Sequence, residues 1–394
     1  MSRFAWVSDS CRLLSQTAAE FDRTKPFKGL RIGTGIHIEP KTAALLLTLQ
    51  RGGADLVSTG NLNSTQAETV AYLREHGVNV IGGPTADPAE HDRNLRGVLA
   101  TRPDLILDNG ADLFARYLED PWPGLLGGTE ETTSGRDRLL PLRDRIGLPL
   151  IVINDSPIKQ FAENTHAVGP GTVEAFMRIT NRITNGRRVT VFGYGSVGRG
   201  VAMYFRNFFS MVSVVEPQPV LQLRAVLDGM EVPDRAEAVR TADVIVTVTG
   251  RPGVITAADL PLLRSGVIMM NSGHLPWEID VPGLLADPSV VATDEVVDGI
   301  TTLKLAGGRA IHILTHGHMV NLAGPRPLGN SIESMDLGFT LQARSLEAVA
   351  TGAVARTACV VPVPAAIDDL VASAYVALAR RGPAPGPERA QIRP

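Results

Sequence analysis

The chain has 394 residues, with 38 Lys and Arg against 41 Asp and Glu, and 44% of its residues are hydrophobic. This length suffices for two or three domains with large cores, and the near-neutral charge argues against a nucleic-acid-binding surface. No apolar run reaches the about 18 residues that a membrane helix needs. Two cysteines, Cys11 and Cys359, cannot form a disulfide framework, and no secretion signal is recognisable, so we expect a cytoplasmic protein.

Short apolar runs alternate with amphipathic stretches in the first part of the chain. Helices are predicted at 42–53 and 65–77. Strands are predicted at 29–36, 54–60, 78–83, 104–110 and 148–156. Alternation of strand and helix favours a parallel sheet with helices on both faces.

A second unit with the same alternation is predicted at 168–326, and a long helix at 332–350 is expected to return to the first unit. The fold class is therefore α/β, with two doubly wound parallel-sheet domains. The first domain is predicted to be discontinuous, comprising residues 1–167 and 327–380. The Pro-rich stretch 381–394 is predicted to be a flexible tail.

A glycine-rich motif indicates a dinucleotide site in the second unit. It follows the predicted strand 189–193 and precedes a predicted helix, which is the context that a pyrophosphate-binding turn requires. Glu216 lies 18 residues after the last glycine, at the end of the next strand, where an acid binds ribose hydroxyls and repels a 2′-phosphate. We therefore predict NAD rather than NADP, with contacts from Gly193, Gly195, Ser196, Val197, Gly198 and Glu216.

Several longer motifs together carry a family resemblance. They are KPFKGLRI at 25–32, GIHIE at 35–39, NLNSTQ at 61–66, GTEETTSG at 128–135, INDSPIK at 153–159, FGYGSVGRG at 192–200, NSGHLPWEID at 271–280 and MVNL at 319–322. With these motifs the chain resembles the S-adenosylhomocysteine hydrolase family over residues 25–380. The resemblance implies an NAD-dependent homotetramer acting on a nucleoside. In the family's reaction the 3′-hydroxyl is oxidised, the 5′ substituent is eliminated, water adds, and the ketone is reduced.

The resemblance also implies roles for individual residues. Lys159 takes the proton of the 3′-hydroxyl, and burial with nearby cations is expected to depress its pKa. Glu131 holds the ribose hydroxyls, and His37 carries a proton at the 5′ position. We expect these three residues, from separate strand ends, to meet at the carboxyl edge of the first sheet. Other implied contacts to cofactor or substrate are Thr132, Thr133, Ser134, Asn154, Asn164, Thr249, Asn271, Gly273, His274 and Asn321.

Five pocket positions depart from the family pattern. Glu39 and Lys41 stand where the family has Thr and Glu facing adenine, which predicts altered recognition of the base. Asn109 replaces an aspartate that works at C5′, so a proton carrier is lost while a hydrogen bond is kept. Glu163 is longer by one methylene than the usual aspartate, and Asn330 replaces a gating histidine. No metal site is predicted.

Three functions remain open at this stage. The favoured one is NAD-dependent dehydration of a purine nucleoside at its 5′-hydroxyl, giving a 4′,5′-unsaturated product of the kind found in angustmycin-type antibiotics. It is favoured because the redox residues are retained while the residues for the base and the leaving group are altered. The alternatives are a genuine S-adenosylhomocysteine hydrolase and a non-catalytic NAD-binding regulator. A 2-hydroxyacid dehydrogenase fits KPFKGLRI and GTEETTSG poorly.

Overall fold

A computed structural model describes residues 2–297 and 299–380, and the predicted flexible tail at 381–394 lies outside the described residues. The helices are α1 Arg3–Ser10, α2 Arg12–Thr24, α3 Pro40–Arg51, α4 Ala67–Glu75, α5 Pro88–Ala100, α6 Asp112–Tyr117, α7 Thr133–Leu139, α8 Arg143–Ile146, α9 Val168–Thr180, α10 Ser196–Asn207, α11 Pro219–Leu227, α12 Arg235–Thr241, α13 Val281–Ala286, α14 Ile332–Ala350 and α15 Ala365–Arg380. The strands are β1 Arg31–Ile36, β2 Asp55–Gly60, β3 Asn79–Val80, β4 Leu105–Asp108, β5 Gly127–Glu130, β6 Leu150–Val152, β7 Arg188–Phe192, β8 Met211–Val215, β9 Val244–Thr247, β10 Ile268–Asn271, β11 Val290–Val297, β12 Ile300–Leu305, β13 Ala310–Leu314 and β14 Val361–Pro362.

The first sheet has the strand order β14-β6-β5-β4-β1-β2-β3, and every neighbouring pair in it is parallel. Strand order reverses between β1 and β4, so a crevice opens beyond the carboxyl ends of these two strands. Strand β14 and helix α14 come from the end of the chain, and α14 packs on α2, α3 and β5. This arrangement supports our proposed domain division at 1–167, 168–326 and 327–380.

The second sheet has the order β11-β12-β13-β10-β9-β7-β8 and is parallel except at one edge. Strand β12 runs antiparallel to both β11 and β13, so the prediction of a wholly parallel sheet is wrong there. The cause is connection length, because only residues 306–309 join β12 to β13 and a parallel crossover needs about a dozen residues. The order again reverses beside β7, which ends at the glycine motif.

The core of each sheet is apolar, as expected for strands covered on both faces. Leu105, Ile106 and Leu107 of β4 are fully buried. In the second sheet, Val191 of β7 and Val246 of β9 are also fully buried. No helix in the described ranges is long and apolar enough to cross a membrane.

Candidate active site

A cleft of about 1650 Å³ opens where the carboxyl edges of the two sheets face each other. Most residues predicted from sequence line it, namely His37, Glu39, Asn109, Glu131, Thr132, Thr133, Ser134, Asn154, Lys159, Glu163, Asn164, Gly193, Gly195, Ser196, Val197, Glu216, Thr249, Gly273, His274, Asn321 and Asn330. Three predicted residues, Lys41, Gly198 and Asn271, are absent from its wall. The expectation that His37, Glu131 and Lys159 meet at the edge of the first sheet therefore agrees with the geometry.

Lys159 lies between two carboxylates at the bottom of the cleft. Its Nζ is 2.9 Å from Glu131 Oε1 and also donates to Glu163 Oε1. Burial alone would lower the pKa of Lys159, but the two carboxylates outweigh burial and raise it. The expectation of a depressed pKa was wrong because acids, rather than cations, surround the amine. Lys159 is therefore an ammonium ion in this arrangement.

Glu163 is the second carboxylate in contact with Lys159. Burial, together with the charge of Glu131, raises the pKa of Glu163 to about 7 despite its contact with Lys159. Its Oε2 is buried and has no hydrogen-bond partner among the described residues. A methyl group on Gly338 of α14 would lie 2.4 Å from this oxygen. The longer acid at this position thus fits because α14 carries a glycine beside it.

Two asparagines extend the network away from Lys159. Asn109 Nδ2 donates to Glu131 Oε2 at 2.8 Å, and Asn61 Nδ2 lies 3.3 Å from Asn109 Oδ1. Both asparagines are buried. The amide of Asn109 therefore orients Glu131 and carries no titrating proton itself.

A pair of buried carboxylates shapes the loops that carry these residues. Asp108 and Glu130 are neighbours in register on β4 and β5. Asp108 accepts hydrogen bonds from backbone N–H groups that include that of Asn109, and Glu130 accepts from Gly110 and Thr132. Burial raises the pKa of Asp108 to about 7 and that of Glu130 to about 8. These acids hold both loops to the sheet edge, a role that the sequence alone did not indicate.

His37 follows β1 and faces His274 from the second domain, with 5.7 Å between the ring centroids. The Nδ1 atom of His37 is 2.5 Å from Ser64 Oγ. Burial, with the charges of His274 and Lys159, lowers the pKa of His37 to about 3, so its imidazole is neutral. Burial also lowers the pKa of His274. A pair of neutral imidazoles therefore lies between the two domains at this end of the cleft.

Glu39 and Lys41 form a buried ion pair with 2.9 Å between Lys41 Nζ and Glu39 Oε2. Lys41 also donates to the carbonyl of Leu328 at 2.8 Å. Its ammonium thus contacts protein groups behind the cleft wall, and the contact of Lys41 with substrate stays a prediction. Only Glu39 of this pair lines the cleft.

Asn330 connects the returning segment to the catalytic acids. Its Oδ1 accepts from Asn321 Nδ2 at 3.1 Å, and its Nδ2 lies 3.4 Å from Glu163 Oε1. An amide in place of the family's histidine therefore joins the interdomain loop to the Lys159–Glu163 pair.

The glycine motif fits a dinucleotide. Gly193 has φ +98°, a backbone conformation that disfavours side chains. A methyl group on Gly198 would lie 2.0 Å from the Gly193 carbonyl, whereas one on Gly195 would meet nothing within 4 Å and would fill the cradle itself. Gly198 therefore serves helix packing, and the open space at Gly195 suits a pyrophosphate at the start of α10. Glu216 accepts from the backbone N–H groups of Tyr194 and Gln218 and faces the same cleft.

The loops at the nicotinamide end are held by residues of the second sheet. Asn271 is fully buried, and its amide forms hydrogen bonds with Thr247, Gly273 and Leu275, so it supports the loop that carries His274. Its contact with the cofactor stays a prediction. The backbone N–H and Oγ1 of Thr249 both donate to Glu278 Oε2.

The other polar residues that line this end of the cleft belong to the first domain and its boundary with the second. Thr132 Oγ1 donates to Glu130, and Asn164 Nδ2 donates to Asn154 Oδ1. Sequence reasoning did not single out Asn61, Ser64, Gly338 or Glu278. Asn61 and Ser64 stand inside the quoted motif NLNSTQ, which was the available signal, whereas Gly338 meets Glu163 only through the fold.

Comparisons with known proteins show the family of the chain. The family model of S-adenosyl-L-homocysteine hydrolase matches residues 9–120, and that of its NAD binding domain matches residues 164–326. The chain is 37% identical to an adenosylhomocysteinase of Thermotoga maritima over 86% of this chain and 84% of that protein. It is 36% identical to an adenosylhomocysteinase of Thermococcus kodakarensis over 93% and 88%. It is 35% identical to an S-inosyl-L-homocysteine hydrolase of Methanothermobacter thermautotrophicus over 87% and 83%.

The two sheets, the glycine cradle and the buried lysine between carboxylates define an NAD-dependent α/β enzyme of the adenosylhomocysteinase type. The chain belongs to the S-adenosyl-L-homocysteine hydrolase family. The predictions of fold class, family and NAD as cofactor are confirmed.

Proposed function

We propose that this enzyme oxidises the 3′-hydroxyl of a purine nucleoside transiently and uses the resulting ketone to eliminate the 5′ substituent. The observation that carries the proposal is the buried ammonium of Lys159 between Glu131 and Glu163, at the sheet edge that faces the glycine cradle. Such a pair of acids can hold the ribose hydroxyls and receive one proton. When bound, NAD supplies hydride acceptance at C3′ and later hydride return.

The proton of the 3′-hydroxyl leaves through Lys159. As Lys159 passes its own proton to Glu163, the free amine takes the proton from the substrate oxygen, and the net acceptor is Glu163. A carboxyl with a pKa of about 7 is poised for this transfer near neutral pH. Glu131 remains paired with Lys159 and Asn109, so its oxygens stay oriented toward the hydroxyls.

The ketone acidifies the hydrogen at C4′, and loss of that proton with the 5′ substituent gives a 4′,5′-unsaturated ketone. We assign His37 to the 5′ end, where its neutral imidazole accepts the C4′ proton at Nε2 while Nδ1 stays hydrogen-bonded to Ser64. The C5′ bond to the substituent breaks, and the proton on His37 passes to the departing atom, which for a 5′-hydroxyl gives water. Return of hydride to C3′ and of the proton from the Lys159–Glu163 pair then restores the 3′-hydroxyl.

Dehydration of a 5′-hydroxyl, with a 4′,5′-unsaturated nucleoside as product, is our favoured net reaction. It is supported by the altered end of the cleft, where the amide of Asn109 has no titratable proton and Glu39 is tied to Lys41. The alternative is thioether hydrolysis, which is favoured by the names of the relatives, adenosylhomocysteinase and S-inosyl-L-homocysteine hydrolase. Those relatives also leave adenine and hypoxanthine as candidate bases.

The experiment is a single turnover of the NAD-loaded enzyme with adenosine, inosine and S-adenosylhomocysteine. Reduction of bound NAD reports 3′-oxidation, deuterium uptake from heavy water at C4′ reports proton abstraction, and product analysis reports elimination. An unsaturated nucleoside without thiol release supports dehydration. Robust homocysteine release supports the hydrolase instead. Bound NAD with neither reduction nor C4′ exchange would identify a regulator and refute the proposed chemistry.

We also propose a cytoplasmic homo-oligomer, a tetramer by family resemblance. Apolar side chains that are more than half exposed in the single chain, such as Ile183, Phe209, Val220 and Leu227, support burial in an assembly. Light scattering coupled to size-exclusion chromatography gives the mass, and a monomer would refute this proposal.

A further inference from the structure

Asn61 follows β2 and lines the cleft although it is only 6% exposed. Hydrogen bonds within its own loop place Asn61 next to Ser64 and Thr65. Ser64 and Thr65 both donate to the Asn61 carbonyl, and Ser64 also meets His37 Nδ1. Asn61 therefore lies beside His37, at the end of the cleft that we assign to the 5′ position.

The orientation of the Asn61 amide follows from the charges around it. Lys159 is an ammonium that donates to Glu131 Oε1, so Glu131 acts as an acceptor. Asn109 must then turn its Nδ2 toward Glu131 Oε2, which leaves its Oδ1 facing Asn61. Only the Nδ2 of Asn61 can satisfy that oxygen, because two carbonyl oxygens in contact would repel each other.

The hydrogen bonds that run from Lys159 through Glu131 and Asn109 to Asn61 leave one polar atom of Asn61 unused. The Oδ1 atom of Asn61 is buried and finds no hydrogen-bond partner within the part of the chain that the structure describes. A buried carbonyl without a donor carries a desolvation cost, so a ligand that donates to it gains affinity over one that does not.

We infer that Asn61 is a specificity-determining residue whose Oδ1 accepts a hydrogen bond from a hydroxyl at the 5′ position of the substrate. A thioether sulfur has no proton to donate and leaves Asn61 unsatisfied. The enzyme should therefore prefer nucleosides with a free 5′-hydroxyl over 5′-thioethers. This inference rests on the proposed function, and it names the leaving group of the same site.

The test compares adenosine with 5′-deoxyadenosine, 5′-O-methyladenosine and 5′-methylthioadenosine, with the matching inosine series in parallel. The measured quantity is the second-order rate constant for reduction of bound NAD, because 3′-oxidation precedes any change at C5′. We expect the 5′-hydroxyl compound to react on the order of tenfold faster than each analogue without the donor. Equal rates, or a faster thioether, would overturn the inference while leaving 3′-oxidation intact.

Variants assign the preference to Asn61. In Asn61→Ala, the rate constants for adenosine and 5′-deoxyadenosine should differ by no more than about twofold. A loss of rate that is common to both compounds does not affect this ratio. The matched control is Asn63→Ala, in the same loop, whose amide contacts His318 instead, and it should keep the wild-type ratio. A wild-type ratio in Asn61→Ala refutes the assignment. If Asn61→Ala does not fold, the wild-type comparison still decides, and failure of every nucleoside to reduce NAD refutes the proposed function itself.

Discussion

The two ends of the cleft differ in how they handle charge. Around Lys159, an ammonium and two carboxylates are buried together, and Glu163 titrates near neutral pH. Around His37, the groups are neutral imidazole and amides, because burial lowers the pKa of His37 to about 3 and Asn109 cannot titrate. The first end stores a proton on charged groups, whereas at the second end a neutral imidazole and the amide of Asn109 meet the substrate. Of the departures from the family pattern, Asn109 belongs to the second end, and Glu39 and Lys41 form a separate buried ion pair at the cleft wall.

The largest effect is expected for Lys159→Ala, which removes the charge that holds both acids. Two buried carboxylates would then face each other without a cation, and the proton relay would be lost. We expect reduction of bound NAD by nucleoside to slow by roughly 10²- to 10⁴-fold, measured by single-turnover absorbance. The matched control is Lys304→Ala, which removes an exposed surface pair with Asp294 and should leave the rate unchanged. Full turnover in Lys159→Ala would show that the end of the cleft around Lys159 does not store the proton of the 3′-hydroxyl.

Asn109→Asp would place a titratable carboxyl at the second end of the cleft, as the first end already has. An aspartate cannot donate to Glu131 and repels it, so the oxidation step should slow by roughly 10- to 100-fold. The added carboxyl should also change deuterium exchange at C4′ relative to NAD reduction. A role at C5′ alone would predict an effect on elimination only, but the hydrogen bond from Asn109 to Glu131 couples both steps. Unchanged NAD reduction would show that this hydrogen bond does not matter to the oxidation.

Gly338→Ala tests the space beside Glu163, because its methyl group would lie 2.4 Å from Glu163 Oε2. Overpacking of about 1–3 kcal/mol should displace the carboxyl from Lys159 and lower the rate of NAD reduction about tenfold. The shorter acid in Glu163→Asp should restore much of the loss in the double variant. Gly83→Ala, at a position with nothing within 4 Å, is the control for an added methyl group. A failure of rescue would mean that Gly338 acts on packing alone.

The smallest expected effect is that of raising the pH from 7 to 8. Because the unprotonated form of Glu163 accepts the proton, the rate of NAD reduction should rise with pH up to about 7 and gain only about twofold between pH 7 and 8. Glu163→Gln should abolish this rise.

The contribution of Glu163 to folding stability should fall as pH rises, whereas the rate of NAD reduction should rise. The pKa of Glu163 is higher in the folded protein than in the unfolded chain, so its contribution is full below the unfolded pKa and is lost as pH rises through about 7. Chemical denaturation across this range measures it, with Glu163→Gln as the reference. A wild-type stability that increases over the same range relative to Glu163→Gln would contradict the assignment.

Much of the fold and of the cofactor end followed from sequence because the signals there are local. A glycine motif between a strand and a helix, with Glu216 at the next strand end, specifies its own surroundings. The antiparallel strand β12 was missed because strand direction depends on connection length rather than on apolar pattern. The pKa of Lys159 was predicted in the wrong direction because the sign depends on which charges the fold places beside it.

The sequence by itself thus determined the family, the cofactor and the identity of most cleft residues, since these depend on motifs of neighbouring residues. The tertiary structure decided where the charges and donors point. It turned Lys41 away from the cleft, gave Glu163 its space beside Gly338 of α14, and left the side-chain Oδ1 of Asn61 without a hydrogen-bond partner among the described residues. The physical reason is that hydrogen-bond direction and pKa are set by atoms that are distant in the chain and adjacent only after folding.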